Sequence, residues 1–596
     1  MSWWPRLRRP AARPKAEPTP APSAVAALVR TAREAYERGD AATARSSIDA
    51  ALTQAPDDPI ALIESARLHR FAGRPEDGLS QLETALLTAP EPALVHLEIG
   101  KALIALKDLP AAIDAFSLAT ALDAELGEAW SQLGFSLRRL ERHSEAIAAF
   151  EHAVRKAPES TLATVWFQYG QVLHVMRRLP EAMAAYKESL ARDPRAIATL
   201  MAAGNTELLL ENDEAALRHY EQAAAEALQT GTVPPGLYLH LAMAYQYVGR
   251  WRDSQRTYEK LLTVTPNDQL ARWYLSQCDL ALCNWERGWG AYNTRFAAGA
   301  SPYRPLPFRS WRGESVPDDT LLILADQGLG DEIMFARCIP DAMARVGHCI
   351  VECEPRLERL FRRSFPGATI VATERVTDGS WLQDIPEPQW QIFGGDVPGL
   401  FLRNDKDFAP HKGYLRADPA RIEHWRQRLE QDFGPGLKVG VSWRGGSDKT
   451  RTRSRSIAPT DWEPILSTPS CHFINLQYGN YLPELTAINE RYGPVVHDYP
   501  EALADYDETA ALVAALDLVT TVCTAIVHLG GALGKPVWVL TPFSPGWRYT
   551  VDRERMPWYP STRLFRQPTI GDWAAPCRRL SEELARLTQN VASTAF

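Results

Sequence analysis

Along the first half of the chain, small and large apolar positions recur in step. One set of small residues returns at Ala32, Ala66, Gly100, Gly134, Gly170, Gly204, Ala242 and Ser276, and a second at Ala44, Gly78, Ala112, Ala146, Ala182, Ala216, Ser254 and Gly288. Four positions after each member of the second set stands a large partner: Ile48, Leu82, Phe116, Phe150, Tyr186, Tyr220, Tyr258 and Tyr292. The period is about 34 residues. The pattern predicts a stack of helix pairs from about residue 23 to 299. The small residues let two helices approach, and the large residue fills the space beside them. Eight units are read, the first and last degenerate, with short insertions near 159–161 and 229–235.

The second half changes rhythm. Thr320–Asp326 is an apolar strand, followed by the turn Gln327-Gly328-Leu329-Gly330-Asp331 and a helix through Ile333, Met334, Phe335 and Ala336. Strands are also expected at Cys349–Cys353, Ala368–Ala372 and Leu437–Trp443, whereas Asp384–Pro410 reads as irregular. The stretch Leu516–Leu540 reads as strand, turn at Cys523-Thr524, helix packed closely through Gly530 and Gly531, and strand. Strands alternating with helices predict doubly wound parallel sheets, whose ligands bind at the carboxyl ends of the strands. The proline-containing stretch around Trp311 reads as a linker.

Composition narrows the class without naming it. The 596 residues are 45% hydrophobic and 23% charged, ordinary for a soluble chain of several domains. A net charge of −8 gives no basic field for nucleic acid. No apolar run approaches the ~20 residues of a membrane span. The eight cysteines are scattered without metal-ligand spacing, as expected of free thiols in a reducing cytoplasm. Residues 1–22, with Arg6, Arg8, Arg9, Arg13 and Lys15 opposed by Glu17, read as a disordered basic tail that lacks the apolar core of a secretion signal.

Three places carry candidate chemistry. Thr524 is suited to cap a helix whose free N–H groups and positive dipole end would receive an anion such as phosphate. The loop from Arg444 to Ile457, with Lys449, Arg451, Arg453 and Arg455, suits an anion clamp or a solvated surface. Asp331 lies at a strand's carboxyl end, where either helix capping or catalysis would place an aspartate. Asp505-Tyr506-Asp507 matches a metal-binding string, but its position before a helix favours capping. Cys523 has no base placed beside it by the sequence, so a turn thiol is the plainer reading.

Trp130-x-x-Leu133-Gly134-x-x-Leu137 with Ala146, Phe150 and Pro158 resembles the tetratricopeptide repeat. The segments Gln327–Asp331, Ser442–Gly446, Arg455–Ile457, Thr509–Val519, His528–Leu540 and Pro557–Ser561 together resemble bacterial fusions of such repeats to a glycosyltransferase. Their catalytic part is similar to the lipopolysaccharide heptosyltransferases of the two-lobed GT-B fold. The order of parts is similar to that of protein O-GlcNAc transferases. The resemblance implies an α plus α/β chain: a tetratricopeptide solenoid (23–299), a linker (300–318), a short acceptor-side lobe (319–415) and a donor-side lobe (416–596). It implies an inverting, metal-independent transferase using a UDP-, ADP- or CMP-linked sugar. Asp331 would be the general base. Donor binding would fall to Thr524, Ala525, His528, Arg444, Lys449 and Arg455, with Gly328 and Gly330 of the first turn. The acceptor would be a protein held in the repeat groove, flagellin being the acceptor of similar fusions. The alternatives are a transferase of lipopolysaccharide or capsule assembly and a non-catalytic adaptor. This chain departs from the family at Cys523, where an aspartate is usual. A piece from about residue 300 onward is expected to keep the donor site.

Overall fold

The computed structural model describes residues 22–304, 306–375, 380–445 and 451–594. The expected basic tail and Lys449 lie outside the described residues. The chain forms two compact units. One comprises the residues up to Leu210 with Ala225–Thr230, and the other comprises Glu211–Ala224 with Gly231 onward. The boundary therefore falls inside the repeats rather than after them.

The first unit holds the hairpins α1 (Pro22–Glu37)/α2 (Ala41–Gln54), α3 (Pro59–Phe71)/α4 (Pro75–Ala85), α5 (Pro92–Ala105)/α6 (Leu109–Leu122), α7 (Gly127–Arg139)/α8 (His143–Lys156) and α9 (Glu159–Val175)/α10 (Leu179–Arg192), then α11 (Ile197–Leu209). Proline at the first helical turn opens α3, α4, α5, α6 and α10, where its missing N–H costs nothing. Asp40, Asp58 and Asp108 cap α2, α3 and α6. The small-and-large pattern is steric. A Cβ on Gly100, Gly134 or Gly170 would stand 2.4, 2.8 or 2.5 Å from the ring of Phe116, Phe150 or Tyr186. Each hairpin also turns through one left-handed residue, in chain order Gly39, Gly73, Lys107, Glu141 and Arg177. The three non-glycine residues adopt φ of 60–64°, a strain the packed hairpin sustains.

The helix α12 (Asp213–Thr230) is shared between the units. The second unit continues with α13 (Leu237–Tyr247)/α14 (Trp251–Val264) and α15 (Gln269–Ala281)/α16 (Trp285–Tyr292). These hairpins share one hydrophobic core with two parallel sheets.

The first sheet contains β1 (Arg309–Ser310), β2 (Val316–Leu324), β3 (Val346–Cys353), β4 (Ala368–Ala372) and β5 (Trp390–Phe393), ordered β1-β5-β2-β3-β4. Two expectations change here. The stretch read as irregular supplies β5, which pairs with β2 in the middle of the sheet. The stretch read as a linker supplies β1, the buried Trp311, and Arg304, whose guanidinium donates to both oxygens of Glu352 at 2.6 and 2.5 Å. Four residues between prolines and glycines are too few to show a strand's alternation.

The second sheet contains β6 (Leu437–Ser442), β7 (Cys471–Asn475), β8 (Val496–His497), β9 (Leu518–Val522), β10 (Val537–Thr541) and β11 (Thr562–Arg566). Its order is β11-β10-β9-β6-β7-β8. Read from β6, this is the 3-2-1-4-5-6 order of nucleotide-binding doubly wound sheets, with the chain reversing direction between β6 and β9. Ligands of such sheets lie outside the carboxyl ends at that reversal.

Candidate functional site

The strand-turn-helix signals fold as expected on both sheets. β2 runs into the turn that opens α17 (Leu329–Phe335), and β9 runs into Cys523-Thr524 and α18 (Ala525–Ala532). The two helices meet closely. A Cβ on Gly330 would lie 3.0 Å from the His528 ring and 3.4 Å from the Ala525 backbone, tighter than ordinary contact, so glycine suits the close approach of α17 and α18. Gly531 and Gly530 do the same behind α18, against Tyr559 and Val537.

The carboxyl ends of both sheets open onto one cleft of about 680 Å³. It gathers Gly330, Asp331, Arg455, Cys523, Thr524, Ala525 and His528. Not all candidates arrive. Gly328 caps α17 at the backbone level, accepting from Asp331 N at 2.9 Å, and does not line the cleft. Arg444 is also off the cleft wall. Its guanidinium donates to Glu484 at 2.9 Å and to the Asn480 carbonyl at 3.1 Å.

Asp331 sits in the first turn of α17 without capping it. Its Oδ1 instead accepts from Arg548 Nε at 2.5 Å, and the second guanidinium nitrogen reaches the same oxygen. Thr524 caps α18, its hydroxyl accepting from Ile526 N at 3.2 Å. Arg455 donates to the Cys523 carbonyl at 2.7 Å, which places its charge at the mouth of α18. Burial pushes the Cys523 thiol up to about 11, so it is neutral near pH 7. Asp505 caps its helix through the Asp507 N–H at 2.9 Å and pairs with Arg359, as the capping reading required. Among the described residues, no cluster of His, Cys, Asp or Glu is arranged to hold a metal ion.

The sequence did not single out the opposite walls. Tyr247, Trp251, Tyr274 and Gln277 come from α13–α15, and Trp547, Arg548 and Tyr549 come from the loop after β10. The basic loop is fastened to repeat residues. Arg451 donates to both oxygens of Asp213 at 2.7 and 2.8 Å and lies 4.0 Å from the Tyr247 ring, while Ser454 N donates to Glu211 at 2.9 Å. Arg451 is therefore paired with a carboxylate, as Arg548 is with Asp331, and Arg455, bonded to a carbonyl, brings positive charge to the cleft at α18. The carboxyl end of β10 was the signal for the Trp547–Tyr549 turn, because that edge is a ligand edge of the sheet.

Tetratricopeptide models match residues 63–126, 127–160 and 237–277. The helix pairs are tetratricopeptide repeats. A curated relative, Protein FlbA of Caulobacter vibrioides, is 35% identical over 322 residues, 51% of this chain and 53% of FlbA. The chain thus spans about half the length of the curated relative it matches. Among solved structures, MamA is 19% identical (TM-score 0.26, 27% of this chain and 94% of MamA). The tetratricopeptide protein YrrB, described as having an unusual peptide-binding site, is 24% identical (TM-score 0.27, 30% and 91%). PilF of Pseudomonas aeruginosa is 18% identical (TM-score 0.31, 34% and 90%). Tetratricopeptide repeats bind protein partners. No helix among the described residues is long and apolar enough to cross a membrane.

His528 gives a pH prediction. Its ring is buried against Tyr559, with Nδ1 and the hydroxyl 3.1 Å apart. Burial, with Arg548 and Arg455 nearby, lowers its pKa from 6.5 to about 3. In that interval the unfolded chain binds a proton that the folded chain does not, so stability falls as the pH is lowered. At pH 5 the loss is about 2 kcal/mol. His528→Gln is expected to melt with a smaller difference between pH 7.5 and pH 5 than the parent. An equal acid shift in both proteins would mean that His528 is charged in the fold.

Proposed function

We propose that the second unit is an inverting glycosyltransferase that moves a sugar from a nucleotide-sugar to a hydroxyl of an acceptor protein, and that the tetratricopeptide repeats recruit that acceptor. One observation carries the reading: the carboxyl ends of two doubly wound sheets face a single cleft, with a carboxylate on one side and an anion-receiving helix end on the other. Two such lobes about a cleft are what the GT-B resemblance implies. The donor's phosphate would lie against α18 and Arg455, whose N–H groups and charge stabilise the leaving group as the glycosidic bond breaks. The acceptor oxygen bonds to the anomeric carbon, the phosphate departs with the electron pair, and Asp331 takes the hydroxyl proton. The aromatic wall from the repeats supports an extended acceptor, since tyrosine and tryptophan give large contact area at low entropic cost. Serine or threonine of a flagellin is the first acceptor to test, because similar fusions act on flagellin.

The direct test is a screen of UDP-, ADP-, GDP- and CMP-sugars by thermal shift and by donor hydrolysis. One nucleotide class is expected to raise the melting temperature and to be hydrolysed slowly without acceptor. If every class leaves both readouts flat, the transferase reading fails and a binding role remains.

A further inference from the structure

The inference rests on the transferase reading and concerns how the cleft is switched on. A general base must offer a free lone pair to the incoming hydroxyl. Asp331 does not offer its Oδ1, which accepts two charged N–H bonds from Arg548. Arg548 belongs to the other sheet's loop, and its guanidinium packs 4.8 Å from the Trp547 ring. The pair is not sealed in: about a quarter of the Arg548 side chain and 17% of the Asp331 side chain are exposed. Among the described residues, Asp331 is the carboxylate paired with Arg548. His528 is neutral, Tyr292 donates its hydroxyl to Gln327 at 3.0 Å, and the nearby cation Arg455 is bonded to the Cys523 carbonyl. Arg451 differs, because Asp213 holds it with both oxygens.

Of the three arginines that line the cleft, Arg451 is held by Asp213 and Arg548 by Asp331, while Arg455 is bonded to a neutral carbonyl, so the end of the cleft at α18 is the place suited to an anion. Two oxygens of a phosphate offer Arg548 the two-point recognition that the two oxygens of a carboxylate can offer. We propose that Arg548 is a specificity-determining receptor for the donor's phosphate, and that its transfer from Asp331 to that phosphate frees Oδ1 of Asp331 for the incoming hydroxyl. Donor binding then releases Oδ1 of the base. Asp331 and the phosphate compete for one guanidinium, so removing the aspartate's charge must favour the phosphate.

That competition is measured without turnover. Calorimetry on the full-length chain would use free UDP, ADP, GDP and CMP with the parent, Asp331→Asn, Arg548→Met, Arg548→Lys and the Asp331→Asn/Arg548→Met double variant. For the nucleotide that binds the parent, Asp331→Asn is expected to bind about three- to tenfold more tightly, because Arg548 no longer has to leave a charged partner. Arg548→Met is expected to bind about tenfold more weakly, with Arg548→Lys between, since one point charge replaces a fork. The double variant should match Arg548→Met alone. If the parent binds a nucleotide and Asp331→Asn binds it no more tightly, the pair is only a structural clasp and the inference falls while the transferase reading stands. If Arg548→Met does not fold, the Asp331→Asn result decides by itself. If no form binds any nucleotide, both readings fall together.

Discussion

Asp331→Asn is expected to lower transfer to the acceptor protein by at least ~10²-fold while leaving the melting temperature of the second unit within a few degrees of the parent. The substitution keeps volume and one hydrogen-bonding oxygen, so the helix α17, which Gly328 opens through its backbone, is undisturbed. What disappears is the group proposed to take the proton. Nucleotide binding is not expected to weaken, because Asp331 brings no cation or N–H donor to a phosphate and instead holds Arg548. A variant with near-normal turnover would remove Asp331 from the chemistry. A variant that fails to bind nucleotide would mean that Asp331 belongs to the donor site instead.

The second large effect concerns where the chain can be divided. The sequence pattern placed a separable boundary near residue 300. The fold contradicts a clean cut there. Arg295 is fully buried and donates to Asp326 at 2.7 Å and to Asp396 at 2.5 Å. Removing it would leave two carboxylates without their cation, and breaking one buried pair costs about 3–5 kcal/mol. Trp289 and Tyr292 also leave the core, where their rings lie 5.6 and 5.7 Å from Trp547, and each such loss costs about 3–5 kcal/mol. Against a typical stability of about 5–15 kcal/mol, a fragment starting at residue 300 is not expected to fold. A fragment starting at residue 197, which keeps all of the second unit's main segments, is expected to melt cooperatively and bind the same nucleotide as the whole chain. Circular dichroism melts of the two fragments decide this. A cooperative melt from the shorter one would contradict the shared core.

These outcomes also mark what the sequence could show. The repeat hairpins were legible because their small and large positions recur on a fixed period, and Gly134 against Phe150 is that rule in atoms. The strand, turn and capped helix at Leu518–Ala532 were legible because the apolar run and the Thr524 cap are local signals. Arg548 was not legible. It lies in an aperiodic loop, 217 positions from the aspartate it holds, and no local pattern links the two. The place of Arg444 was misleading for the same reason, since a loop arginine's partner, here Glu484, is fixed by tertiary packing. Strand β5 was hidden by its length, and the join between the last repeats and the sheets by the proline-containing stretch that looks like a linker and carries the buried Arg304 and Trp311.

The central claim is that this cleft builds a glycosidic bond on a protein that the repeats capture. The most direct measurement is intact-protein mass spectrometry of the protein that co-purifies with the full-length chain, made in parallel cells carrying the parent or Asp331→Asn. The account predicts a captured protein that bears an added sugar mass on serine or threonine with the parent, and the same protein captured without that mass with Asp331→Asn. An identical mass in both cells, with capture unchanged, would contradict it.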